Sequence, residues 1–71
     1  MSINHQYARE GAALLRIIDP EQKATPDFFE RILERGKQLV RETSEHRFNV
    51  GVMLIGLAEA ANRQRGFGHG A

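Results

Sequence analysis

An all-α fold follows from three observations in this 71-residue chain. Two segments carry apolar residues at helical spacing. A third is apolar almost all the way round. The breaks between them hold proline or a residue suited to capping a helix. The expected arrangement is a short N-terminal helix, about 4–18, packed on a helical hairpin, about 26–42 and 45–65, followed by a disordered Gly-rich tail. A single small domain, 1–71, holds all of it.

In the first helix Tyr7, Gly11, Leu14, Leu15 and Ile18 share one face. Ser2 or Asn4 suits its N-cap. Asp19-Pro20 ends it, because the residue before proline is pushed out of the helical region. Gly11 interrupts the apolar stripe, which makes it either a gap or a point of close approach for another helix.

Thr25-Pro26-Asp27 starts the second helix. Threonine caps, proline fits the first helical position, and aspartate complements the positive helix end. Phe28, Phe29, Ile32, Leu33, Leu39 and Val40 form its apolar face, with Gly36 in the middle. Glu30, Glu34, Lys37 and Arg41 make a solvated opposite face.

Thr43 or Ser44 caps the third helix, and Gly66 stops it by accepting the left-handed conformation. Between Phe48 and Ala61 lie seven large apolar residues and one charge, Glu59. At 100° per residue, Phe48, Val52 and Ile55 fall on one side. Val50, Met53, Leu54, Leu57 and Ala61 fall on the other, with Gly51, Gly56, Ala58 and Ala60 between. A helix apolar all round is a buried helix. One side can be covered from within the chain, and the other calls for a neighbour. The expected interaction surface is therefore Phe48, Val50, Val52, Leu54, Ile55 and Leu57.

Two competing readings exist. Residues 48–55 also alternate as a strand would, but the chain has no second strand to pair with it. Phe29, Leu33, Gly36, Val40, Thr43, Arg47, Val50, Leu54, Leu57 and Ala61 keep a heptad register, which one long helix would also satisfy. The polar break at Thr43–Arg47 favours a hairpin, which lets a short chain bury itself.

Composition narrows the function. A core of this size supplies only about 3–5 kcal/mol. Cysteine is absent, so disulfides and thiolate zinc sites are excluded. Oligomerisation is the remaining staple, and an obligate oligomer is expected. Ten Lys and Arg balance nine Asp and Glu, for a net charge of +1, which disfavours a dedicated nucleic-acid binder. The N-terminus does not read as a signal peptide, and 48–61 is short and interrupted for a membrane span, so a cytoplasmic protein with no membrane partner is expected.

Chemistry is sparse. The sequence has no phosphate loop, dinucleotide fingerprint, zinc-protease or serine-elbow motif, and no cofactor is expected. Glu42 and His46 are four apart, yet no second acidic-histidine motif accompanies them, so no metal site is expected. Glu59 either pairs with Arg63 or points to solvent. Arg63, Arg65 and Phe67 look like a fragment of an arginine-glycine tail. As a cationic helix end followed by a glycine stop, they are also simply explained.

From Phe29 onward the chain resembles the helical-hairpin family of phage anti-CBASS sponges, which sequester cyclic oligonucleotide signals of anti-phage immunity. Glu30-Arg31-Ile32, the polar turn ending in Arg47, and Leu54-Ile55-Gly56-Leu57-Ala58-Glu59-Ala60 carry the resemblance. The family's second helix reads L-T-K-L-E-E-A. This chain keeps Leu54, Leu57, Glu59 and Ala60, and has Ile55 and Gly56 at the Thr and Lys positions. The resemblance implies a nucleotide ligand, with Arg47 as the carried-over phosphate contact.

The expected function is therefore a small non-enzymatic interaction protein, an adaptor, inhibitor or regulator. It would act as a homo-oligomer, dimer or higher, and bind another protein. Its size suits an accessory protein of a phage or mobile element. One alternative is a sponge for a phosphate-rich cyclic nucleotide, contacted through Arg47, Arg63 and Arg65. A second is a helical nucleic-acid-binding regulator.

Overall fold

A computed structural model describes residues 2–66, with side chains from residue 6 onward. The expected disordered tail and the side chains of Ser2 and Asn4 lie outside the described residues. The described chain is three helices: α1, Ser2–Ile18; α2, Pro26–Val40; and α3, Glu45–Arg65. The hairpin reading holds, and residues 48–55 are helix rather than strand.

The helix ends follow local chemistry. Ser44 takes an extended conformation, and its hydroxyl accepts from the Arg47 amide at 3.3 Å. Gly66 closes α3 in the left-handed region, φ 71°, and donates its amide to the Asn62 carbonyl. Thr25 has the extended backbone of an N-cap, but its side chain makes no capping bond; the Phe28 amide donates to its carbonyl instead.

Helix α2 ends at Val40, two residues earlier than the apolar pattern suggests. The Arg41 and Glu42 amides donate to Gln38 and Leu39, three residues back, at 3.2 and 3.1 Å. Such bonds tighten a last turn and finish the helix.

Helix α3 is the spine. Helices α1 and α2 both pack along it, and among the described residues their backbones come close to α3 rather than to each other. Near the middle of α3 they sit on different faces, because the residues that receive them there lie well apart on the α3 wheel. Gly56 faces α1, and Gly51 faces α2. Helix α1 runs in the same sense as α3, since Asp19 at its end meets Arg65 at the end of α3. Helix α2 runs the other way. Its Phe29 lies beneath Arg65, and its Gly36 is level with Gly51.

Both seats depend on glycine. A Cβ on Gly11 would collide with the Met53 carbonyl, and one on Gly56 with the Ala8 backbone. A Cβ on Gly36 would sit 2.8 Å from the Gly51 carbonyl oxygen, and one on Gly51 would sit 2.7 Å from that of Gly36. Backbone-to-backbone approach of this kind leaves no room for any side chain. Gly11 is thus a point of close approach, and the neighbour at Gly36 comes from the same chain.

The main core lies toward the C-terminal half of α3. Leu15 of α1, Phe29 of α2, and Leu57, Ala58, Ala60 and Ala61 of α3 are buried together, with Ala12, Leu14, Ala24, Ile32 and Leu33 packed around them. The alanines let the flanking helices come close, and Leu15 and Phe29 fill the remaining space.

Candidate interaction surface

The structure divides the six apolar residues expected to face a partner. Leu57 does not belong to a surface: it is 2% exposed, inside the core with Leu15 and Phe29. This corrects its assignment. The reason is that α1 and α2 converge over the C-terminal half of α3. Phe48, Val50, Val52, Leu54 and Ile55 remain half-buried in the N-terminal half. Ile55 is turned toward α2, where its Cγ1 lies 2.8 Å from the place a Gly36 Cβ would occupy. Phe48 and Val52 on one side, and Val50 and Leu54 on the other, keep apolar surface in water.

The most exposed large apolar side chains are not among those six. Ile17 is 72% exposed, Ile18 48% and Phe28 44%. They close α1 and open α2, so they flank the 19–25 linker. Phe28 meets Phe29 edge to face at 5.1 Å between centroids, which holds its ring in place while leaving it in solvent. Only Ile17 was signalled by the sequence, since it lies off the stripe of Leu14, Leu15 and Ile18; Ile18 and Phe28 were expected on the apolar faces of α1 and α2 and lie largely in solvent.

A polar lock sits at the same end of the molecule. The Arg65 guanidinium donates to an Asp19 carboxylate oxygen at 2.6 Å and to the Asp19 carbonyl at 3.3 Å. The other Asp19 oxygen accepts from the Lys23 amide, and both amides of the turn, Lys23 and Ala24, bond the carboxylate at 3.0 Å. Arg65 also lies over the Phe29 ring at 5.2 Å, a cation–π arrangement. Its side chain is 7% exposed and that of Asp19 11%. The buried Arg65 Nε has no hydrogen-bond acceptor.

Burial by itself would raise the Asp19 carboxyl. The Arg65 bond, the two turn amides and the Arg65 charge outweigh it, and the group lies below the ordinary value of 3.8. The charge is thus compensated on every side, so Asp19 is a structural acceptor and not a free base.

The other candidate cations divide similarly. Arg47 pairs with Glu42 across the turn at 2.9 Å, with both side chains well exposed. Arg63 is exposed near the end of α3. Arg65 is engaged as described. The three do not form a cluster of free cations. Glu59 is exposed, and no ion pair joins it to Arg63 among the described residues. Among the described residues, no group of three His, Cys, Asp or Glu side chains is placed to hold a metal ion, and no helix is long and apolar enough to cross a membrane.

A shallow cleft of about 450 Å³ opens beside the lock, lined by Leu15, Arg16, Asp19, Pro20, Gln22, Gln64 and Arg65. Two helix C-termini converge there. Their carbonyl ends favour cations, and the Arg65 guanidinium already answers that field. No family model, curated protein or solved structure matches the chain.

Proposed function

We propose that the chain is a small non-enzymatic helical interaction protein that acts as a homo-oligomer. The observation that carries this reading is the exposure of Ile17, Ile18 and Phe28 on the two sides of the 19–25 linker. Scattered exposed apolar residues are ordinary, but grouped ones mark association sites. The half-buried Phe48, Val50, Val52 and Leu54 extend the apolar surface along α3. Small size and the absence of cysteine point the same way, because subunit association is a common staple for a core of this size.

The sponge reading is weaker. It calls on Arg47, Arg63 and Arg65 together, and two of them are already paired within the chain.

Light scattering on the wild type, Ile17→Asp and Phe28→Asp tests the proposal. Both sites are exposed, so neither substitution threatens the core. Wild type should show at least twice the 8.0 kDa chain mass at micromolar concentration. Both variants should shift toward monomer with unchanged helicity. A wild-type monomer overturns the proposal, and so does a wild-type oligomer that both variants leave intact.

A further inference from the structure

Three observations at the end of α1 share one explanation. Among the described residues the α1 backbone approaches closely only that of α3, and α1 meets α2 only through the shared core around Leu15 and Phe29. Its seat is compact: the crossing where Gly11 meets Met53 and Gly56 meets Ala8, the buried Leu15, and the Asp19–Arg65 lock. The turn that folds it back is strained, because Gln22 has φ 57°, the left-handed region, with no glycine to relieve it.

We propose that α1 is exchanged between two copies of the chain, so that each copy's α1 sits on the α3 of the other. The proposal rests on the homo-oligomer reading and specifies how the copies join. The occupant is defined by what the seat requires: a small residue at the crossing, a leucine one turn later, and a carboxylate one turn after that to meet Arg65. A second copy's α1 supplies Gly11, Leu15 and Asp19 in that order.

The linker permits the exchange. Opened to extended chain, residues 19–25 reach roughly 23 Å, comparable to the 22 Å middle dimension of the molecule. Opening releases Gln22 from the left-handed conformation. It also brings the two linkers past each other, which puts Ile17, Ile18 and Phe28 where a new contact can cover them. Exchange of an identical element costs little because the α1–α3 contacts and the Asp19–Arg65 pair are remade, while the Lys23 and Ala24 amide bonds to Asp19, which belong to the closed turn, are given up.

Two mixing experiments test this. Asp19→Arg and Arg65→Asp each place like charges in the lock, so each alone should be destabilised. In an exchanged heterodimer both seats are repaired. One holds the two substituted side chains as an ion pair of reversed polarity, and the other holds the native Asp19–Arg65 pair. Mixing after unfolding and refolding should therefore give a dimer that melts well above either variant. A mixture that melts as its two components separately overturns the proposal.

The second test avoids the lock. Arg16 and Gln64 are exposed and line the same cleft from α1 and α3, and the chain has no native cysteine. Refolded together and oxidised, Arg16→Cys and Gln64→Cys chains should link predominantly 16 to 64 between chains. A wild-type dimer mass with no such preference overturns exchange and leaves self-association standing. A monomer mass overturns both.

Discussion

Gly11→Ala distinguishes the close-packed spine from a simple bundle of helices, because the two pictures give opposite signs. In an isolated helix, alanine is better than glycine by about 1 kcal/mol. A position on the apolar face with room to spare should gain stability of that order. Here the new methyl group meets the Met53 carbonyl, which is backbone and cannot rotate away. Helix α1 must move off α3, and Leu15 must withdraw from the core with it. Overpacking of this kind costs about 1–3 kcal/mol, with a backbone obstacle placing it at the upper end. The difference leaves a net loss of about 2 kcal/mol, or roughly 8–16 °C in a domain of this size. Thermal and urea unfolding followed by circular dichroism measure it. An Ala13→Gly control, at an exposed site on the same helix, should lose about 1 kcal/mol through propensity alone. A Gly11→Ala chain more stable than wild type would refute the close crossing.

Further expectations follow from the same structure. Gly51→Ala should destabilise as Gly11→Ala does, since its Cβ would lie 2.7 Å from the Gly36 carbonyl oxygen; a gain in melting temperature contradicts the α2–α3 seat. Leu15→Ala empties a fully buried site and should cost about 2–5 kcal/mol in urea unfolding; a loss within error would remove Leu15 from the core. The Asp19 carboxyl is lowered on folding, so its contribution is complete above the unfolded value of 3.8 and disappears as pH falls through the lower folded value. Asp19→Asn should therefore flatten the acid limb of a stability–pH curve, and an unchanged limb would contradict the lock. Ser44→Ala should cost about 0.5–1 kcal/mol by the same unfolding measurement, the low part of the capping range, given its 3.3 Å bond.

Much of the fold was legible because it is written locally. Thr25-Pro26-Asp27, Ser44 and Gly66 mark helix ends through their own backbone preferences. Asp19-Pro20 does the same for α1. The stripes of α1 and α2, and the all-round apolar character of α3, give the order of burial. Gly11 and Gly36 stood out as interruptions of apolar stripes, and close approach explains both. The second helix was read two residues too long, since Arg41 and Glu42 continue the charge pattern while their amides bond three residues back.

The lock was not legible. Asp19 read as a helix stop and Arg65 as a cation near a helix end, and each reading is sound by itself. They are 46 residues apart, and only the parallel course of α1 and α3 brings them together. Leu57 was misplaced for a related reason. The wheel separates two apolar sides of α3 but does not say that α1 and α2 close over one end and leave the other open. Ile17 and Phe28 were exposed by the same geometry, which draws both helices in at Leu15 and Phe29 and leaves their neighbours outside.

The mass of the wild-type chain in solution bears most directly on this account. Multi-angle light scattering at micromolar concentration should give twice the 8.0 kDa of one chain, or a higher multiple. A single well-folded species at 8.0 kDa, helical and stable on its own, would contradict it.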